Sequence, residues 1–161
     1  MIFVQNNRFF YTTIGLALLL LGVLFLCLYK EKTVPHVAIS GFTDGTLVSD
    51  NISIAVSIAD TVIKREQGLS GTSMLPENAG KLFIFENEGM YGFWMKDMNY
   101  SIDIIWIDSQ MKVVGIAPSV APESYPEVIY PPSTVQYVLE VPSGFSTEKG
   151  VEVGQTFTLK K

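Results

Sequence analysis

The chain has 161 residues, of which 48% are hydrophobic and 17% are charged, and this length predicts a single domain. Residues 33–161 carry 8 Lys and Arg against 15 Asp and Glu, a net charge of −7. Because an acidic domain repels phosphate backbones, this charge argues against a nucleic-acid partner. The one cysteine, Cys27, excludes a disulfide framework and a cysteine zinc site.

An uncharged run occupies residues 9–29, beginning with Phe9 and ending with Tyr29. As a helix it would be ~31 Å long, which matches the ~30 Å hydrocarbon core of a bilayer. The run therefore predicts a membrane-spanning helix whose partner is the lipid bilayer. A cleaved signal peptide is the alternative, but residues 26–29 are not the small residues that a cleavage site needs. We expect a retained anchor.

The predicted organisation is a short tail (1–8), the anchor (9–29), a linker (30–46) and a β domain (47–161). Lys and Arg are nearly balanced at the two ends of the anchor, so they do not set its orientation. A short tail followed by a whole domain fits the pattern of a signal anchor. The expectation is a single-pass protein of the cell membrane, with its domain on the extracytoplasmic side.

The domain begins with a regular alternation. Residues 52–58 alternate β-branched apolar side chains with Ser and Ala, which is typical of a half-buried strand. A short helix is predicted over Val62–Gln67, with Asp60 or Thr61 as its N-cap and Gly68 as its stop.

Strand and turn signals follow one another through the rest of the domain. The predicted strands are 82–85, 91–96, 102–107, 112–117, 135–141 and 156–159. Turns are predicted at 86–89 and 108–110. A second short helix is predicted between an N-cap at Ser146 and a stop at Gly150. Many short strands with regular turns predict a mainly β fold, a compact β-sandwich or barrel with one or two short helices. Five prolines between Pro118 and Pro132 predict a long loop there, because proline removes donors from a sheet.

Five short stretches are diagnostic when they are taken together. They are Gly68-Leu69, Leu82-Phe83-Ile84-Phe85, Phe93-Trp94-Met95-Lys96, Ile102-Asp103-Ile104 and Val138-Leu139-Glu140-Val141-Pro142. In this order they resemble the DUF192 family of small bacterial and archaeal domains, over roughly residues 50–159. The resemblance implies a compact, mostly β domain, often behind a signal peptide or an anchor, and it supplies no established activity or catalytic residues. This sequence departs from the family pattern at Ser70, Lys81 and Gln155, and these changes leave the implied fold intact.

Carboxylates are the remaining candidates for chemistry. The sequence has no established catalytic or phosphate-binding motif, and outside the anchor it has no cysteine and one histidine, His36, so we expect no metal and no cofactor. Asp103 lies in an apolar strand and Glu140 lies beside Val138, and a carboxylate on an apolar face needs a partner or a raised pKa. The favoured interpretation is structural, with bonds to backbone N–H groups or to a cation such as Lys96. Alternatively, the two carboxylates act as acid and base.

Aromatic residues form the second group of candidates. Most aromatic side chains of a small β domain belong to its core, but an exposed aromatic face would bind sugar rings or peptide. The candidate binding residues are Tyr91, Trp94, Lys96, Tyr125 and Tyr130.

These observations predict a membrane-anchored, extracytoplasmic β domain that acts as a binding or interaction module at the cell envelope, with a glycan or a protein as its partner. The alternative is a small carboxylate-dependent hydrolase that acts on envelope glycan or peptide through Asp103 and Glu140. The module is favoured, because no catalytic motif supports the hydrolase.

Overall fold

The computed structural model describes residues 41–42 and 44–161. The predicted tail, the predicted anchor and residues 30–40 of the predicted linker lie outside these residues, so the anchor stays a prediction. In the part of the chain that is described, no helix is both long enough and apolar enough to cross a bilayer.

Strands dominate the described residues. In chain order the elements are β1 (Gly45–Ser49), β2 (Ile52–Ala59), α1 (Val62–Gln67), β3 (Ala79–Gly89), β4 (Ile102–Ile107), β5 (Val113–Val120), a 3-10 helix (Pro122–Ser124), β6 (Val135–Pro142), α2 (Phe145–Lys149) and β7 (Thr158–Lys160). The prediction of a mainly β fold with two short helices is confirmed.

The strands of the described residues form one open sheet, in the order β5-β4-β6-β3-β2-β1-β7. β2 and β3 are parallel and are connected through α1, whereas the other pairs are antiparallel. The predicted sandwich or barrel is therefore wrong. The segments that precede the edge strands β5 and β7 meet, where Lys112 and Thr156 form an isolated bridge and the Phe157 N–H donates to the Met111 carbonyl at 2.9 Å.

Both faces of this sheet are covered, which explains why one sheet can carry so many apolar strands. All six residues of β4 are buried. The core on one face is built around Leu47, Ile54, Val56, Leu82, Ile105, Ile107, Leu139, Val141 and Phe157. The core on the other face is built around Leu69, Phe83, Met95, Ile102, Ile104, Trp106 and Val138. Strand β2 nevertheless buries every second residue along most of its length. A strand of a sandwich does the same, so the alternation in β2 does not distinguish one sheet from two packed sheets.

The short helix α1 has the predicted bounds and lies beside the second of these faces. The Thr61 hydroxyl accepts the Lys64 N–H at 3.4 Å, and Gly68 ends the helix with a φ of 50°. No residue of α1 is buried, so its apolar packing is weak. Arg65 ties it to the sheet instead, since its guanidinium donates to the carbonyls of Asp60 and Ile84, both at 2.8 Å.

Two segments around the end of β3 differ from their predicted structures. Residues 86–89 continue β3 instead of forming a turn, because after an irregularity the strand resumes its pairing with β6 at Gly89. Residues 91–96 form a loop instead of a strand, and Phe93 alone makes a bridge, to Ile129. Both outcomes depend on partners that are distant in sequence.

The proline-rich loop and the second helix also differ in detail. Pro118 lies within β5, an edge strand in which a missing N–H donor is tolerated, so the loop occupies residues 121–134. The N-cap of α2 is Gly144, and Ser146 lies inside the helix. Gly150 ends α2 with a φ of 68°, as predicted.

Candidate functional site

A cleft of about 430 Å³ opens on the sheet face that carries Phe83 and Glu140. Its walls come from α1 and the turn after it, from β3, from the loop that follows β3 and from the proline-rich loop. We call it the aromatic cleft, since six aromatic residues line it: Phe83, Phe85, Tyr91, Phe93, Trp94 and Tyr130.

Two loops meet at the mouth of the cleft. The Phe93 N–H donates to the Ile129 carbonyl at 2.9 Å, and the Ile129 N–H donates back to the Phe93 carbonyl at 2.8 Å. A Cβ atom placed on Gly92 would lie 2.5 Å from Val128 Cγ1 and 2.7 Å from Tyr130 Cε1. Only glycine therefore allows the loops to approach this closely, and their contact holds the Tyr130 ring against the backbone of residue 92.

Exposed and packed rings divide the cleft into an outer and an inner part. Trp94 and Tyr130 remain 53% and 59% exposed, so their ring surfaces are open to a ligand. By contrast, the Tyr91 ring stacks on Phe85 with centroids 3.5 Å apart and an angle of 8°. Its hydroxyl donates to the Asn87 carbonyl at 2.7 Å. Tyr91 therefore shapes the inner wall, while Trp94 and Tyr130 offer free aromatic surface.

Glu140 is the buried polar residue of the cleft. Only 6% of the residue is exposed, and Oε2 has no hydrogen-bond partner among the described residues. Burial raises the pKa of this carboxyl to about 8, while the Lys81 charge acts in the opposite direction. At neutral pH, Glu140 is therefore mainly protonated, and its carboxyl offers both a donor and an acceptor.

Lys81 lies opposite Glu140 in the pairing of β3 with β6. Burial lowers the pKa of Lys81, and the charges of Glu140 and Asp44 counteract this effect. Within residues 41–42 and 44–161, the two ion pairs join Lys64 to Asp60 and Lys149 to Glu148, so Lys81 and Glu140 are not in direct contact as an ion pair.

Asp103 makes the contacts of a structural residue, because its carboxylate bonds only backbone N–H groups among the described residues. The residue is fully buried, and Oδ1 accepts the N–H groups of Ser119 at 2.8 Å and Gly144 at 3.0 Å, while Oδ2 accepts the Ser146 N–H at 2.8 Å. These bonds join the end of β5 to the start of α2. Lys96, the cation suggested from sequence, is exposed and lies with Nζ 6.0 Å from the centroid of the Trp94 ring. Of the two kinds of partner considered from sequence, backbone N–H groups are therefore the ones that bond Asp103.

Asp103 and Glu140 lie on opposite faces of the sheet. On the adjacent strands β4 and β6, Asp103 is paired with Val141 and Ile104 with Glu140. Directly paired residues share a face and successive residues alternate between faces, so the two carboxyl groups are separated by the sheet. The hydrolase proposed from sequence needs both groups around one bond, and this arrangement does not provide that.

The predicted binding residues lie in one region, but not all of them line the cleft. Tyr91, Trp94 and Tyr130 do so. Tyr125 packs edge-on against Trp94, with ring centroids 5.9 Å apart, and Lys96 contacts the Trp94 ring through its Nζ. Their roles in binding stay predictions. In the described residues, no group of three or more His, Cys, Asp or Glu is placed to hold a metal ion.

Sequence reasoning missed three residues that build this site: Arg65, Lys81 and Gly92. Lys81 had a visible signal, since it is a charged residue at the start of an otherwise apolar strand. Gly92, between two aromatic residues, was a second signal. Nothing in the local sequence indicated that Arg65 would stack on Phe85, with its guanidinium carbon 5.2 Å from the ring centroid.

The chain is similar to known proteins over most of the domain. The model of the DUF192 family, described as Uncharacterized ACR, matches residues 46–159. A UPF0127 protein of Thermococcus gammatolerans (strain DSM 15229 / JCM 11827 / EJ3) is 35% identical over 103 residues, which are 62% of this chain and 62% of that protein. The match thus spans less than two thirds of the relative's length.

Two crystal structures have a similar fold. One is a candidate transcription regulator of Sinorhizobium meliloti 1021, with 26% identity and a TM-score of 0.66 over 71% of this chain and 91% of that one. The other is a protein of unknown function from Novosphingobium aromaticivorans DSM 12444, with 23% identity and a TM-score of 0.66 over 71% of this chain and 83% of that one. The second likeness concerns the fold alone. Because the family model extends from β1 into β7 and agrees with the motifs of the sequence, the chain belongs to the DUF192 family.

Proposed function

We propose that this domain is a binding module that holds a glycan of the cell envelope in the aromatic cleft. The observation that carries the proposal is the juxtaposition of two exposed rings, Trp94 and Tyr130, with the buried carboxyl of Glu140 in one cleft. Ligand sites in proteins combine apolar surface with a few placed polar groups, and this cleft has that composition.

Sugar rings suit such a surface. A pyranose has an apolar C–H face that packs on an aromatic ring, and hydroxyl groups at its edge that form hydrogen bonds. Trp94 and Tyr130 would supply the packing surface, because their rings are amphipathic and partly exposed to solvent. Glu140 would supply a hydrogen bond from the inner end of the cleft.

The charge of the domain favours an uncharged ligand. Residues 33–161 have a net charge of −7, which disfavours polyanions, including nucleic acid. The Sinorhizobium meliloti relative is described as a candidate transcription regulator, and the negative charge of the present chain disfavours direct contact with DNA.

The envelope location rests on the apolar run of residues 9–29 and is part of the same proposal. We expect the run to be retained as an anchor and the domain to lie outside the cytoplasm. Mass spectrometry of protein from the membrane fraction tests the first point, and a mature N-terminus near residue 30 would contradict it. Protease treatment of spheroplasts tests the second, since an exported domain is digested and a cytoplasmic one is protected.

Glycan binding is tested directly with the full chain in detergent micelles. Calorimetric titration with soluble β-1,4-linked hexasaccharides is expected to give saturable binding. Trp94→Ala and Tyr130→Ala should each weaken it by about 3- to 10-fold, which corresponds to the ~0.5–1.5 kcal/mol of a ring contact. Met74→Ala is the matched control, because Met74 is 70% exposed and lies outside the cleft. Absence of binding, or equal losses in all three variants, would refute the proposal.

A further inference from the structure

Exposed apolar side chains are concentrated at the mouth of the aromatic cleft. Nine large hydrophobic residues are exposed in the part of the chain that the structure describes, and five of them lie together at this mouth. We call these five the exposed rim: Met90, Trp94, Tyr125, Val128 and Tyr130. Exposed apolar residues that are scattered singly are normal, whereas a contiguous group indicates a surface that has a partner.

The exposed rim is one surface because the two loops that carry it are joined. Met90 and Trp94 follow β3, and the other three members belong to the proline-rich loop. The reciprocal hydrogen bonds between Phe93 and Ile129 hold the loops together, and the Tyr125 ring packs against Trp94. The glycan proposed above would use two of the five side chains, so the rim is larger than that function requires.

We propose that the exposed rim docks on the lipid bilayer at the level of the headgroups. This inference rests on the membrane anchor of the proposed function and not on its glycan binding. Tryptophan and tyrosine rings favour the membrane interface, because one part of the side chain is apolar and the other forms hydrogen bonds. The methionine and valine side chains of the rim would pack beside them on the upper part of the acyl chains.

The charged groups beside the rim agree with a shallow contact. Lys96 Nζ lies 6.0 Å from the centroid of the Trp94 ring, and a lysine at an interface keeps its ammonium group in water while its stem covers apolar surface. Glu123 and Glu127 are exposed in the proline-rich loop and remain in water if the rings enter no deeper than the headgroups. Because residues 33–161 have a net charge of −7, a zwitterionic surface suits this docking better than an anionic one.

The point at which the described chain begins also favours this partner. Phe42 packs against the core on the sheet face that carries the aromatic cleft. Residues 30–41 connect the predicted anchor to Phe42, and a segment of that length reaches at most ~45 Å. The anchor would therefore keep the domain within this distance of the bilayer. A tethered second contact forms at an effective concentration of about 1 mM, so a weak apolar contact is sufficient.

Quenching of tryptophan fluorescence by brominated lipids tests the docking on the full chain in nanodiscs of phosphatidylcholine. Both tryptophans of the protein lie in the domain, and Trp106 is only 3% exposed. Bromine atoms on the acyl chains quench rings that reach the interface. We expect the parent to lose about 3-fold more of its emission than Trp94→Phe, in which only the buried Trp106 reports.

Variants of the rim separate docking from mere closeness to the membrane. Val128→Ser and Met90→Ser each remove apolar surface beside Trp94, so each should reduce its quenching about 2-fold. Val153→Ser is the matched control, because Val153 is 65% exposed and lies outside the cleft, and it should leave the quenching unchanged. Equal quenching in all three variants would overturn the role assigned to the rim.

An unquenched Trp94 would refute docking on lipid. Native mass spectrometry of the same nanodiscs counts the chains in each disc, and two chains together with an unquenched Trp94 would assign the rim to a second copy of this chain instead. One chain per disc together with a quenched Trp94 is the result that supports the inference.

The failures of this inference and of the proposed function differ. If the hexasaccharides bind and Trp94 is not quenched, docking is refuted and glycan binding stands. If Trp94 is quenched and no hexasaccharide binds, glycan binding is refuted and docking stands. A mature chain that lacks the predicted anchor would not be retained in the nanodiscs, and this result would refute the anchor and the docking together.

Discussion

Lys81 and Glu140 face each other across the pairing of β3 with β6, and burial drives both toward their neutral forms. Burial lowers the pKa of the amine and raises that of the carboxyl, while the attraction between the two charged forms opposes both shifts. Below about pH 8, the raised pKa of Glu140 therefore makes the stability of the domain sensitive to pH in a defined direction.

We expect the free energy of unfolding to fall as the pH rises from about 4.5 to about 8. In this range the folded state holds a proton on Glu140, and the unfolded chain, in which the pKa has its usual value of 4.5, does not. Unfolding then releases a proton, so the stabilisation is complete below pH 4.5, is lost through the window and changes no further above about pH 8. Glu140→Gln removes this titration. Its stability relative to the parent should rise by about 1.4 kcal/mol per pH unit within the window.

Urea unfolding of the full chain in detergent micelles measures this difference, since both tryptophans, Trp94 and Trp106, lie in the domain and report on it. Glu127→Gln is the control, because the side chain is exposed and its removal should leave the pH profile parallel to that of the parent. A Glu140→Gln profile that is also parallel to the parent would show that Glu140 titrates normally.

Lys81→Met should raise the pKa of Glu140 above its present value of about 8, because the charge that stabilises the carboxylate is removed. Carbon NMR of the Glu140 carboxyl would report the midpoint directly. Lys149→Met is the control, since Lys149 pairs with Glu148 on α2 and does not act on Glu140. An unchanged or lower midpoint in Lys81→Met would contradict the assigned electrostatics.

Asp103→Asn should lower the free energy of unfolding by about 2–3 kcal/mol, since the new NH₂ group must face at least one backbone N–H group and the charge of the acceptor is lost. Asp108→Asn is the comparison, because Asp108 also accepts two backbone N–H groups, from Gln110 and Lys112, but does so at an exposed turn. It should cost less than about 1 kcal/mol. Equal costs in urea unfolding would argue against a special role for the buried carboxylate.

Gly92→Ala should displace the loop that carries Trp94, because the added methyl group overlaps Val128 and Tyr130. Overpacking of this kind costs about 1–3 kcal/mol. Gly115→Ala is a matched control, since a Cβ atom there would lie 2.7 Å from Pro132 Cδ, outside the cleft. Both variants should lose stability, but only Gly92→Ala should shift the indole NMR signal of Trp94 and weaken ligand binding. If the Trp94 signal responds equally to both, the cleft does not depend on Gly92.

Local patterns were sufficient where the chain needs no distant partner to define an element. A cap at Asp60 or Thr61 and the stop at Gly68 predicted the bounds of α1, and the apolar run predicted the bounds of β4. Local patterns failed for residues 86–96. β3 extends through charged residues because it pairs with β6, and the segment after β3 is held by the bridge to Ile129. Such contacts depend on register, which alternation does not determine.

The same limit applies to the candidate site. The pattern of an acidic residue within an apolar strand identified both Asp103 and Glu140 from sequence. The pattern could not show on which face of the sheet each side chain lies. The register of β4 with β6 places one carboxyl among backbone donors and the other in the cleft. Two residues with the same local signature therefore have different surroundings, and only the structure separates them.

The three bonds of Asp103 also bear on how long the folded domain persists. Their donors are 16, 41 and 43 residues away in the chain, so these bonds require β4, β5 and the start of α2 to be in place, and we expect them to form late in folding. Contacts that are completed after the rate-limiting step of folding act mainly on the unfolding rate. In stopped-flow experiments, Asp103→Asn should accelerate unfolding and leave the folding rate nearly unchanged. One buried carboxylate would then set the lifetime of the folded state and not the speed at which that state is reached.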